Sequence, residues 1–222
     1  MRADLTGVFL VQPSQLFQNT SQWFDRAGAA LLGTLPCRQG CSHCCIGLFP
    51  VTLLDKREIQ RGLRLLSYEQ RRRIEEKARE QVSTLAVAAP ALIANQFIDH
   101  WPDGEIDRLI ERFDALPCPA LESDGRCGVY DFRPLVCRSM GIPTDDGERV
   151  HGACAVQTAV PVIRLSNALR EQESRLVERE AEELGALRDR LGAEGEELLL
   201  PYAFLPESEA GTTTDTTSAQ YS

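Results

Sequence analysis

The chain's chemistry is concentrated in its thiols, and their spacing is uneven. Eight cysteines occur in 222 residues: Cys37, Cys41, Cys44, Cys45, Cys118, Cys127, Cys137 and Cys154. Four of them crowd into nine positions, CRQGCSHCC. Thiolates bind soft or borderline metals, and two of them three residues apart in a turn reach one ion without strain, so Cys41 and Cys44 form a natural bite that Cys37 extends. Gly40 and Gly47 bracket the loop and let its amides turn toward sulfur. Cys44 and Cys45 are neighbours, and in extended backbone neighbouring side chains face opposite ways. That pair either faces two metals or divides its tasks.

The second group is looser. Cys118 sits between prolines, Cys127 lies in a glycine-rich turn, and Cys137 is expected on a short helix begun by Pro134 at its first position. Eight thiols allow two four-cysteine sites or one cluster with spare thiols. His43 and His151 are candidate additional ligands. Several thiolates together accumulate negative charge, which burial penalises unless donors and cations surround it. Arg133 and Arg138 flank Cys137 and suit that supporting role.

A chain of this length needs no covalent staple to fold, so heavy cysteine use calls for a chemical reason. Secreted chains spend cysteines on disulfides, cytosolic ones on metals or redox chemistry. The start, MRADLTGVFLVQPSQ, has too short an apolar stretch for a signal peptide. No run approaches the ~20 apolar residues of a membrane span. The expectation is a cytoplasmic protein with reduced thiols and no membrane partner.

Helices must position these loops. Thr52 and Asp55 have capping-box form and open a helix over 53–65. Ser67 and Gln70 repeat the signal for 67–88, which Pro90 ends. Further helices are expected near 21–33, 92–100, 103–116 and 162–191, with Asp103 capping the fifth and apolar spacings of 3, 4 and 7 within it. The net charge of -9 is not spread evenly: thirteen acidic residues and four arginines lie from Glu171 onward, leaving the first 170 residues neutral. The acidity belongs to the long C-terminal helix and a polar tail whose composition predicts disorder.

Other function classes fare poorly. Arg71, Arg72 and Arg73 suggest a phosphate-binding face, yet nine basic residues stand against six acidic ones between Asp55 and Glu80. A solvated helix face is the better reading, and no nucleic-acid partner is expected. The Cys37, Cys41, Cys44 spacing is that of radical S-adenosylmethionine enzymes, but the capped helix that follows does not suit their strand-helix barrel. There is no P-loop, no nucleophile elbow and no dinucleotide fingerprint.

The ordered motifs CRQGCSHCC, VTLLDKREI, CPAL and GRCGVYDFRPLVCR, with a later cysteine, resemble the zinc- or iron-chelating domain family known by the signature CxxCxxCC. One departure is the Cys-x3-Cys spacing at Cys37. The resemblance implies metal chelation and marks Cys41, Cys44, Cys45, Cys127 and Cys137, with Arg133, Pro134 and Arg138 as further matching positions. Flagellin lysine N-methylases look similar in their cysteine signature, which suggests methyl transfer in some relatives, although no separate methyl-donor domain is visible here.

The fold class expected is mainly α, with helices framing an irregular cysteine-rich metal-binding centre. Its parts would be a helical lead-in over 1–34, the cysteine-cluster domain over 35–158, a long helix and extension over 159–205, and a disordered acidic tail over 206–222. The expected cofactor is an iron-sulfur cluster, with the eight cysteines as the candidate ligands, in one centre or two, and with a redox or cluster-supported enzymatic role and a protein or redox partner. Zinc in a closed four-cysteine site, making an interaction module, is the alternative.

Overall fold

The computed structural model describes residues 11–29, 40–141, 144–145, 150–151 and 165–206. Cys37, Cys154 and the expected disordered tail beyond residue 206 lie outside the described residues, as do 30–33 and 162–164 of two expected helices. The described chain is mainly helical. Its α-helices are α1 (Gln15–Ala29), α2 (Leu53–Leu63), α3 (Tyr68–Ala88), α4 (Ala91–Ala94), α5 (Asp103–Arg112), α6 (Leu135–Ser139), α7 (Asn167–Leu191) and α8 (Leu200–Ala203). Short 3-10 turns cover His43–Cys45 and Tyr130–Phe132. The strands β1 (Pro50–Thr52) and β4 (Glu197–Leu199) pair antiparallel, with Val51 opposite Leu198. The strands β2 (Thr144–Asp145) and β3 (Val150–His151) form a second antiparallel pair.

Two capping boxes set the central helices. Thr52 Oγ1 accepts from Asp55 N–H at 3.3 Å, while Thr52 N–H donates to Asp55 Oδ2 at 3.0 Å. Ser67 and Gln70 repeat the exchange at the start of α3. Both helices begin where such reciprocal bonds satisfy the otherwise unpaired first amides. α2 then buries Leu54, Ile59 and Leu63, and α3 buries Ile74, Ala78 and Leu85, against the completely buried Leu198 and Leu199 of β4. Each buried leucine or isoleucine among them stabilises the fold by ~1.5–3 kcal/mol relative to exposure.

Four expectations are corrected. α1 begins at Gln15, not near Ser21, because Leu16, Thr20, Trp23 and Ala27 form one buried face, with the Thr20 hydroxyl donating to Leu16 O at 3.0 Å. Trp23 Nε1 donates to Leu169 O at 3.1 Å and ties α1 to α7. The helix expected over 92–100 stops at Ala94, since Phe97 bridges Leu198 and Ile98 N–H donates to Glu197 O at 3.0 Å. Pairing with a strand remote in sequence wins over local propensity. α5 ends at Arg112 and is preceded by Pro102 at the cap, with Asp103 already inside its first turn. α7 starts after Ser166, whose hydroxyl caps Leu169 N–H, and ends at Gly192 in the left-handed region at φ 59°.

The arginine-rich face of α3 is paired within itself: Arg71 and Arg79 both meet Glu75, at 2.6 and 3.0 Å, and Arg72 meets Glu76 at 2.7 Å. No helix among the described residues is long and apolar enough to cross a membrane.

Candidate metal centre

The two cysteine loops meet through their backbones. Ile46 bridges Pro117, Cys118 N–H donates to Cys45 O at 2.7 Å, and Gly47 N–H donates to Leu116 O at 2.8 Å. The second loop then turns back on itself: Leu121 bridges Cys127, and Gly128 N–H donates to Ala120 O at 2.8 Å. At the tip of that turn Gly125 has φ 81° and lies so close to the first loop that an added Cβ would stand 3.3 Å from Gly40 O. A side chain there would be strained and crowded at once.

This contact brings six sulfur-bearing residues onto one space. Cys41, Cys44, Cys45, Cys118, Cys127 and Cys137 line a single cavity of about 120 Å³. All six are free thiols. The expectation that Cys44 and Cys45 point apart is corrected, because they lie in a 3-10 turn and not in extended chain. At three residues per turn, successive side chains diverge by about 120° and both can face one side.

The electrostatics record how closely the sulfurs face each other. Cys44 is lowered to about 6, chiefly by a hydrogen bond from the Cys45 thiol, which outweighs burial; its own loop's backbone and the Arg133 charge assist. Cys45, the donor, is raised for the same reason, with burial and the neighbouring Cys44, Cys118 and Cys127 adding to it. Burial first, then Cys127, pushes Cys118 up to about 12 against the pull of the Ala120 and Leu121 amides. Burial also raises Cys127, opposed by the Val129 amide and Arg133. Cys137 stands well above the usual thiol range, through burial and then Cys118, Cys44 and Cys127.

The two arginines divide their work. Arg133 lies against the Tyr130 ring at 4.1 Å, donates to Tyr130 O at 3.2 Å, and is the cation that favours thiolate at Cys44 and Cys127. Arg138, only 4% exposed, donates to Arg133 O at 3.0 Å, to Ser21 Oγ at 2.6 Å and to Asp131 O. Its bonds hold the chain that carries the thiols. Burial and the Arg133 charge lower Arg138 to about 10. Pro134, expected at the first position of α6, occupies the cap one residue earlier.

The histidines contribute less. His43 is exposed and does not line the cavity. Only the backbone of His151 is described, in β3. Among the described residues, no three histidine, cysteine or acidic groups are drawn tightly enough together to hold an ion as they stand. The sulfurs surround a space without converging on a point.

The donor set nevertheless fits zinc or iron. It is all soft sulfur, which disfavours hard cations such as magnesium or calcium. A set of facing thiolates is unstable by mutual repulsion and desolvation, and a bound cation removes both penalties. The cavity also exceeds the ~10–15 Å³ that one water-sized body requires. Backbone amides at Ala120, Leu121 and Val129 already favour charge on sulfur.

One residue that does much here carried no cysteine signal. Asp55 was visible in sequence only as a helix cap, yet its second carboxylate oxygen accepts from Leu135 N–H at 2.8 Å, at the start of the helix bearing Cys137. Burial raises its carboxyl, while the Thr52 and Leu135 donors pull it down.

The CxxCxxCC family model, described as "Putative zinc- or iron-chelating domain", matches residues 36–155. No curated protein and no solved structure matches the chain.

Proposed function

Because this chain belongs to the CxxCxxCC family of zinc- or iron-chelating domains, we propose that its thiol-lined cavity holds an iron-sulfur cluster in a redox or cluster-supported role. The observation that carries this reading is the single cavity shared by six free thiols, with room for more than one ion. Cys41, Cys44, Cys118, Cys127 and Cys137 are the proposed sulfur donors. Cys45 serves through its hydrogen bond to Cys44. Such a cluster, when bound, supplies one-electron transfer with a potential set by charge, hydrogen bonds and solvent access.

The chain's own residues set those conditions. Phe49, Leu200 and Phe204 close the inner wall and exclude water. Arg133 brings positive charge beside Cys44 and Cys127. Tyr130, 37% exposed, stacks on that guanidinium at the outer side, where a redox partner protein would approach. The proposed setting is a reducing cytoplasm, which keeps the thiols free to bind.

Metal and acid-labile sulfide analysis with an absorption spectrum, on protein purified without oxygen, tests the reading. Iron with matching sulfide and visible charge-transfer absorption is expected. Stoichiometric zinc without sulfide would overturn the cluster and make the region a structural zinc module. Protein that takes up neither metal on reconstitution would overturn chelation by this cavity.

A further inference from the structure

Cys137 sits on α6, a helix of five residues. A single turn does not sustain itself, since isolated helices below ~12–15 residues are marginal in water. Its position must be imposed from outside. Pro134 at its cap offers no side-chain acceptor, so the first amides of α6 lack a local partner.

Asp55 provides one from across the fold. Its Oδ1 accepts from Leu135 N–H at 2.8 Å, and its Oδ2 accepts from Thr52 N–H at 3.0 Å and the Thr52 hydroxyl at 3.2 Å. One carboxylate therefore caps two helices, α2 and α6, whose bonded residues are 80 apart in sequence. It does so at 2% exposure, and no ion pair among the described residues includes it.

The chemistry of the group explains the choice. Two helix starts present only donors to it, so both oxygens must accept, and a carboxylate is acceptor-only. An asparagine in the same place would turn an NH2 donor toward one of the two amides. It could cap either helix, not both.

We infer that Asp55 is the positioning residue of the metal centre: the buried carboxylate that fixes α6, and with it Cys137, against α2. The inference rests on the chelation reading above. Asp55 holds α6 through the Leu135 amide, and its charge also disfavours thiolate at Cys137.

Cobalt titration of the full chain, stripped of metal and kept reduced, tests this. Thiolate-to-cobalt absorption reports how many sulfurs are bound, independent of any activity. Thr52→Ala removes the local cap but leaves the Asp55 to Leu135 bond, so it is expected to lower Tm with a wild-type cobalt spectrum. Asp55→Ala loses both caps. Its cobalt affinity is expected to fall about 10- to 100-fold, as for other residues that orient metal ligands, with a spectrum like that of Cys137→Ser. Leu135→Pro, which removes the donated amide at a first helical position that tolerates proline and leaves the Asp55 to Thr52 bonds in place, should do the same and carries the test should the alanine variant not fold.

A wild-type spectrum and affinity in Asp55→Ala or Leu135→Pro would overturn the inference, whatever the Tm. Absence of any thiolate-to-cobalt band in the wild type would overturn the chelation reading and the inference together, and is distinguishable from the first outcome.

Discussion

Gly62 is the point where α2 meets the turn that leads from Cys127 to Cys137, and it has no room for a methyl group. A Cβ built there lies 2.7 Å from Phe132 Cβ, 2.9 Å from its Cγ and 3.1 Å from its Cδ2. Carbon atoms pack best at ~3.5–4.0 Å, so the overlap is severe. The nearest atom is attached directly to the Phe132 backbone, and no side-chain rotation relieves it. Either α2 or the Tyr130–Phe132 turn must move.

Two terms decide the sign of Gly62→Ala. Alanine is favoured over glycine in a helix interior by ~1 kcal/mol. Overpacking a filled site costs ~1–3 kcal/mol, and displacing the buried Phe132 would forfeit part of the ~1.5–3 kcal/mol its burial contributes. The net expectation is a loss of ~1–2 kcal/mol. Gly185 on α7 supplies the control, since an added Cβ there meets nothing within 4 Å. Gly185→Ala should gain ~0.5–1 kcal/mol from the helix preference alone. Urea unfolding of both variants by far-ultraviolet circular dichroism, with metal chelated so that ligand binding does not contribute, reads the difference. Gly62→Ala as stable as wild type, or more so, would refute the packing argument.

Two further outcomes follow from buried charges. Arg138→Lys is expected to lose ~2 kcal/mol in urea unfolding, because an ammonium cannot serve Arg133 O, Asp131 O and Ser21 Oγ in the fork geometry of a guanidinium; wild-type stability in the lysine variant would refute a directional role. Glu180, on α7 beside Thr52 and Asp55, is raised from 4.5 to about 7, first by burial and then by the Asp55 charge. A folded value above the unfolded one contributes stability that is complete below pH 4.5 and lost as pH rises through 7. Glu180→Gln should therefore match wild type near the acid end and exceed it above pH 7, and parallel urea midpoints across that range would refute the assignment.

The parts of this fold that were legible in the sequence are those governed by neighbours. Both capping boxes and the starts of α2 and α3 follow from residues three positions apart, so local reading sufficed. The end of α4 did not, because Phe97 and Ile98 leave the helix for partners about a hundred residues away in β4. The three-residue strands β1 and β4 are too short to show alternation. Among the thiols, residue type announced the chemistry, but the sides taken by Cys44 and Cys45 depended on a 3-10 turn that the sequence does not signal. Asp55 was readable as a cap, and its second bond was hidden by the distance to Leu135.

These observations share one element, and that explains how a mainly helical protein keeps irregular thiol loops in place. The first cysteine loop runs through β1 straight into α2, so its exit is set by that helix. The second loop is held to the same helix two turns apart, by the Asp55 bond to Leu135 and by Phe132 against Gly62. Glu58, between them and 1% exposed, accepts from Ser14 N–H at 2.9 Å and pairs with Arg61 at 3.2 Å, which anchors the start of α1. α1 in turn receives Arg138 through Ser21. Each loop thus takes its position from α2 and from the backbone bonds between the loops, and not from the other loop's sulfurs. The loops can lack regular structure, and leave amides free for sulfur, because the spacing between them is borrowed from a rigid helix whose own first turn is locked by the carboxylate that also holds Cys137's helix.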